Sequence, residues 1–267
     1  MLFQVEQYSC SIWDIFAMSS LEKGLQALAL LSADRPRLKV TEVAQALDLP
    51  KSSTSRLLAT LARHGLLERG ARHAGFEAGF ELQRLGRLFR SDDLALDAAE
   101  DRLRGLVSRH PATGYLACLQ GLDTLILRVR ESPTPVRYVV SEGTRLPAYV
   151  TAIGKALLMR LNSQELLDRL PDRLHHAPLG FSMSRAQLLR ELQQSRERRW
   201  AELVDTARRG IGAAAVAVGA PHGRMLGIAL CWMERDMSAA QRRQARADLV
   251  EAARAIGCRI RDPFWLA

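Results

Sequence analysis

Apolar residues recur at three- and four-residue spacing through Leu21, Leu25, Leu28, Ala29 and Leu31, the stripe of an amphipathic helix opened by Ser19-Ser20-Leu21-Glu22-Lys23. After a break over residues 34–37, Thr41 is placed to cap a short helix carrying Val43, Ala44 and Leu47. The tight connection Asp48-Leu49-Pro50 leads into a third helix from Lys51 to about Arg63, with Pro50 suited to its first turn. Thr54, Leu57, Leu58 and Leu61 share the inward face of that helix, and Gly65 closes it. Residues 66–69 and 76–78, joined by a turn of small residues over 70–75, read as a two-stranded hairpin. Helix, helix, helix, hairpin is the order of a winged helix-turn-helix.

Residues 82–90 continue helically, and Ser91-Asp92-Asp93 caps a further helix that Pro111 stops after His110. Its apolar positions Leu94, Ala98, Leu103, Leu106 and Val107 suit either a connector between domains or the first helix of the second one. Strands follow at 115–120 and 122–130 around Gly121, then at 136–141. Helices are expected at 153–161, 164–170 and 185–199. A hairpin pairs 213–218 with 225–232 through Pro221-His222-Gly223-Arg224, and a last helix spans 239–260. Antiparallel strands with helices grouped on the faces make the fold class α+β. The expected division is an extension over 1–18, a winged helix-turn-helix over 19–83, a linker helix over 84–110 and a second domain over 111–267.

Length agrees with that division, since 267 residues suggest two domains. A chain that is 48% hydrophobic and 25% charged is neither disordered nor fibrous. The longest nearly uncharged run, 211–221, is about half of the roughly 20 residues a membrane-spanning helix needs, so no membrane partner is expected. The first 17 residues hold Phe3, Ile12, Trp13, Ile15 and Phe16 without a basic stretch before them, which is not the layout of a signal peptide. They are either an ordered extension or the product of a start assigned upstream of Met18, the second being favoured. Cys10, Cys118, Cys231 and Cys258 form no paired motif. They read as reduced thiols in a cytoplasmic protein, with Cys118 and Cys231 as small core hydrophobes.

The net charge of +9 points to an anionic partner, although Lys23, Lys39, Lys51 and Lys155 are the only lysines among 38 basic residues and such an arginine bias also follows codon usage. Placement is more telling. A helix-turn-helix sends its second helix into the major groove with the N-terminal residues at the base edges. Here these are Lys51, Ser52, Ser53, Ser55 and Arg56. Serines let the backbone come close and bond phosphates or bases, and Arg56 can reach a guanine edge or a phosphate. From Leu49 to Arg72, five basic residues stand against the single acid Glu68, a balance of +4. In the wing, Arg72 and His73 can reach an adjacent groove or phosphates. An ordinary capped helix start would explain the serines alone; the preceding helix, the tight turn and the wing favour double-stranded DNA.

The stretches Ser20-Leu21-Glu22-Lys23-Gly24-Leu25, Leu49-Pro50-Lys51-Ser52-Ser53-Thr54-Ser55-Arg56-Leu57-Leu58, Leu66-Leu67-Glu68-Arg69 and Gly79-Phe80-Glu81-Leu82 resemble the IclR-type family of bacterial transcriptional regulators. So do Gly143-Thr144-Arg145-Leu146-Pro147 and Thr151-Ala152-Ile153-Gly154-Lys155-Ala156-Leu157-Leu158, and the likeness runs from Ser19 to about Ile260. It implies a GAF-like effector domain, a homodimer or dimer of dimers, an inverted-repeat promoter site, repression as the commoner mode and a small carboxylate effector. The effector would meet the amides of Ala152 and Ile153 at a helix start, with Lys155 either fixing an anion or serving structure. Where relatives with small hydrophilic effectors carry an acid, a small or sulfur-bearing residue and two alternating polar residues, the matching positions are Leu203, Ala213, Leu230 and Trp232. Asp205 or Glu202 supplies the acid if the register shifts. A wall of Leu230 and Trp232 favours an aromatic or apolar acid, unless Trp232 fills the space itself.

An enzyme is the rival class. Asp205-Thr206, His175-His176 and His222 could be offered as catalytic groups, but no nucleophile–base spacing, phosphate loop or metal pattern accompanies them. The two histidines read as surface loop, and no catalytic residue, cofactor or metal is expected. An RNA-binding module is disfavoured because the N-terminal domain has few aromatic residues for stacking.

Overall fold

The computed structural model describes residues 19–32, 35–70, 75–88, 94–131, 140–204, 210–219 and 224–266. The chain divides into two units, Met1–Arg90 and Ser91–Ala267. Residues 1–18, and with them the question of the start, lie outside the described residues, as do Arg72, His73, Asp205 and His222.

The described part of the first unit begins at Ser19. Its hydroxyl accepts the Glu22 amide at 3.2 Å while the Glu22 carboxylate accepts the Ser19 amide at 2.8 Å, a capping box that sets the start of α1 (Ser20–Ala29). The chain continues through β1 (Arg37–Leu38), α2 (Val40–Ala46), α3 (Lys51–Arg63), β2 (Leu67–Arg69), β3 (Phe76–Ala78) and α4 (Phe80–Leu88). Ala27, Leu38, Val43, Leu58, Leu67 and Phe76 form its core. Gly65, at φ 71°, turns the chain out of α3.

Three expectations need correction here. The sheet has three strands in the order β1-β3-β2, because Arg37 and Leu38 pair with Glu77 and Phe76. Thr41 does not cap α2, which starts at Val40 with Lys39 at the cap position and no side-chain cap. Leu21 and Leu25 do not face the core: they are 72% and 58% exposed, and α1 instead buries Gly24 and Ala27.

The second unit runs α5 (Leu94–Arg109), β4 (Thr113–Gln120), β5 (Asp123–Arg130), β6 (Arg145–Pro147), α6 (Ala152–Leu158), α7 (Ser163–Arg169), β7 (Arg173–His176), β8 (Phe181–Ser184), α8 (Arg185–Arg198), β9 (Ala201–Val204), β10 (Ile211–Gly219), β11 (Met225–Met233), α9 (Ala239–Ile260) and α10 (Pro263–Leu266). Six antiparallel strands lie in the order β6-β5-β4-β11-β10-β9, and β7 pairs with β8 apart from them. The fold is mixed α+β, as the chain pattern implies. Most of the strand expected over 136–141 lies outside the described residues, and β6 is what borders β5. Residues 84–110, read as a connector, divide between α4 and α5. Ala95, Ala99, Leu103 and Leu106 of α5 are buried in the second unit's core beside α9.

Strand alternation sorts this sheet into two layers. Leu116, Val216, Val218, Ile228, Leu230 and Trp232 share a core with α5 and α9. Ala117, Ala215, Ala217 and Ala229 share the other core with α6, α7 and α8.

Candidate functional site

The first site is the start of α3. Pro50 occupies its cap position and offers no side-chain acceptor, and no acid lies in the first turn. Among the described residues, the amides of Lys51, Ser52 and Ser53 therefore have no partner, and the helix presents its positive end uncapped. Thr54 turns inward, fully buried, its hydroxyl donating to the Pro50 carbonyl at 3.1 Å. Leu58 is buried on the same face. Lys51, Ser52, Ser55 and Arg56 are exposed and Ser53 half-buried. None of the five has a side-chain hydrogen bond or ion pair among the described residues. The one acid between Leu49 and Arg72 is already engaged, since the Glu68 carboxylate accepts the Phe80 amide at 3.2 Å and so fastens α4 to the hairpin. This surface combines free donors, positive charge and short side chains, which is what contact with a phosphate backbone and base edges requires.

The second site is the layer between α6 and the sheet. Thr151 caps α6, its hydroxyl accepting the Gly154 amide at 3.0 Å. This leaves the amides of Ala152 and Ile153 without an acceptor among the described residues. Ile153 lies directly on β11: a Cβ built at Gly227 would stand 2.6 Å from its Cγ1, so only glycine permits this approach. Lys155 is structural, since its ammonium is buried and pairs with Glu191 of α8 at 2.5 Å.

Of the strand residues expected around this layer, Leu203 and Ala213 are there and Leu230 and Trp232 are not. Leu203, Ala213 and Cys231 stand opposite one another across β9, β10 and β11, on the α6 side. Leu230 pairs with Ala214 and Trp232 with Gly212, one position out of step, and both point to α5 and α9. Glu202 likewise turns to the α9 side and pairs with Arg246, so it cannot supply an acid to the α6 layer. The β11 residues that face the α6 side are Ala229 and Cys231. Burial pushes the Cys231 thiol up to about 12, which keeps it neutral and makes it a small apolar surface rather than a nucleophile.

His175 and His176 lie on strand β7, not in a loop, with His175 exposed and His176 half-buried. Burial and then the charge of His175 lower the pKa of His176, against a smaller opposing effect of Asp123, and its Nδ1 is a buried atom without a partner. No group of three or more His, Cys, Asp or Glu among the described residues could hold a metal ion.

The chain matches the IclR helix-turn-helix domain over residues 20–71 and the bacterial transcriptional regulator IclR C-terminal domain over residues 91–258. It belongs to the IclR family. This IclR-family protein is a DNA-binding transcriptional regulator rather than an enzyme. It is 27% identical over 210 residues to the HTH-type transcriptional regulator XynR of Escherichia coli K12, covering 78% of this chain and 83% of XynR. It is 27% identical over 179 residues to the HTH-type transcriptional repressor AllR of the same strain, covering 67% and 66%. A crystal structure of an IclR homologue from Microbacterium hydrocarbonoxydans, complexed with 4-hydroxybenzoate, superimposes with a TM-score of 0.73 at 18% identity and covers 91% of this chain and 99% of that one. No described helix is long and apolar enough to cross a membrane.

Proposed function

We propose that this IclR-family regulator is a cytoplasmic repressor that binds an inverted-repeat promoter site as a homodimer or dimer of dimers and responds to a small carboxylate with an apolar or aromatic body. The observation that carries the DNA contact is the uncapped start of α3 with its five unengaged side chains, Lys51, Ser52, Ser53, Ser55 and Arg56. Arg72 and His73 of the wing complete the contact in this reading. Self-association is supported by large apolar side chains left in solvent on the first unit, with Leu21, Leu25, Phe80 and Leu88 all more than half exposed. Two half-sites related by a twofold axis follow from such a pairing. The name of AllR supports repression.

Arg56→Ala should weaken specific binding by about 1–3 kcal/mol if Arg56 reads a base. Lys51→Ala should weaken operator and random duplexes alike and flatten the salt dependence, because it removes a phosphate contact. Gel-shift titrations at several salt concentrations separate the two, and unchanged operator affinity in both variants would refute the assignment of α3.

For the effector, the α6 side of the sheet offers Leu203, Ala213, Ala229 and the neutral Cys231, an apolar wall in the same layer as α6, whose first amides, those of Ala152 and Ile153, have no acceptor among the described residues; Asp205 remains a candidate for the rim. The homologue holding 4-hydroxybenzoate, an aromatic acid, fits that chemistry. Ligand occupancy then shifts the population of DNA-competent states. In a thermal-shift panel, benzoates or medium-chain acids should stabilise the protein by about 2.7 kcal/mol at a hundredfold excess over Kd. Ala213→Leu should abolish that response. Stabilisation by pyruvate alone among the acids tested would mean that the wall is not what selects the ligand.

A further inference from the structure

A second ligand site is indicated on the opposite side of the second unit from α6. A cleft of about 700 Å³ lies between α9 and the turn that joins α8 to the edge strand β9. Its α9 wall is one face of the helix: Arg243, Ala247, Val250 and Arg254 follow one another at intervals of four, three and four residues. Its other wall is Arg198 and Trp200, and Arg246 closes the space between.

The arginines are held ready. The Arg198 guanidinium stacks 4.0 Å from the centre of the Trp200 ring and donates from Nε to the Trp200 carbonyl at 2.8 Å. The Arg246 guanidinium stands 5.1 Å from the same ring centre and pairs with Glu202. Stacking fixes a guanidinium plane but leaves most of its five N–H donors pointing outward. Arg243 and Arg254 are exposed and have no acidic partner among the described residues.

Charge decides what fits. Four guanidiniums and one carboxylate, Glu251, line the cleft; Glu202 behind it pairs with Arg246, and Glu191, which also acts on Arg198, is balanced by Lys155, so two positive charges are left over. A monoanion would neutralise half of that excess. Between Arg243 and Arg254 the α9 wall is apolar at Ala247 and Val250, and Trp200 stands on the other wall, so the site can take a ring or a short chain. The cleft is a shallow, open one between two elements, with an apolar strip and a cluster of guanidiniums close enough to act on one small anion. We propose that this cleft binds an organic dianion, a phosphate monoester or dicarboxylate with an apolar body, as a ligand site separate from the α6 layer.

Phenyl phosphate is a suitable probe, being a dianion with a ring above its second pKa of about 6. Calorimetric titration of the full-length protein at pH 8 and physiological salt should show saturable binding. The double variant Arg243→Ala/Arg254→Ala breaks no ion pair among the described residues, and it should raise Kd by about tenfold or more. Ala213→Leu, which blocks the α6 layer, should leave this binding unchanged, so failure of the effector reading and failure of this one are separable. The proposal is overturned by equal binding to wild type and the double variant, or by inorganic phosphate binding as tightly as phenyl phosphate. It is overturned equally if a random DNA duplex displaces the probe and loses affinity in the double variant, since the cleft would then be a nucleic-acid contact.

Discussion

Trp232→Ala should destabilise the second unit by about 3–5 kcal/mol and leave its ligand preferences as they were. The indole is 3% exposed in the core shared with α5 and α9. It lies over Gly212, its partner on β10, so closely that a Cβ there would stand 2.5 Å from Nε1. Nε1 donates to Glu234 at 2.8 Å, and Glu234 also pairs with Arg242. Truncation therefore removes a large apolar surface, opens a cavity against a glycine that cannot fill it, and leaves Glu234 with one partner fewer. Against a typical domain stability of about 5–15 kcal/mol the loss is large. Chemical denaturation measures it, and Trp232→Phe should fall between the two. A Trp232→Ala protein that kept its stability but changed which acids it binds would mean that the indole faces α6 and that the strand register is wrong.

The likeness to relatives puts Trp232 beside the effector, and nothing in the strand's own pattern corrects that placement. Met225–Met233 is apolar at odd and even positions alike because both faces of this sheet are covered by helices. A strand buried on both faces carries no alternation, so its direction cannot be read from the sequence and a one-residue offset inverts every side chain. The pairing of Ala213 with Cys231 resolves it. The same limit applies to α1, where helical spacing is plain but two stripes compete. The leucine stripe is the more apolar, yet the small residues Gly24 and Ala27 are the ones that face the core. Strands β1 and β9 have two and four residues, too few for a period to register. By contrast, the solvent-facing residues of α3 are legible one by one, because a helix with one buried face separates Thr54 and Leu58 from Ser52, Ser55 and Arg56.

Asp262 gave no signal in the sequence, and its loss should be as costly as that of Trp232. It is fully buried just past α9, where Arg261 at φ 56° ends the helix. Its carboxylate accepts two hydrogen bonds from Arg160, at 2.7 and 2.9 Å, and the amides of Gly219 at 2.9 Å and Phe264 at 3.1 Å. Arg160 also donates to the Ala217 carbonyl at 3.0 Å. Gly219 ends β10, Arg160 follows α6 on one face of the sheet, and Asp262 follows α9 on the other. One ion pair thus ties the two helical layers together at the end of a central strand. Asp262→Ala strands a largely buried guanidinium, and breaking such a pair from one side costs about 3–5 kcal/mol. Asp262→Asn keeps the acceptor but not the charge and should lose less. The decisive measurement is a double-mutant cycle with Arg160→Met, read from denaturation midpoints. The double variant should be more stable than Asp262→Ala alone, because the unpaired charge is gone. Single variants within about 1 kcal/mol of wild type, the range of an exposed pair, would show that the pair is solvated and that the two layers are held together by their apolar contacts alone.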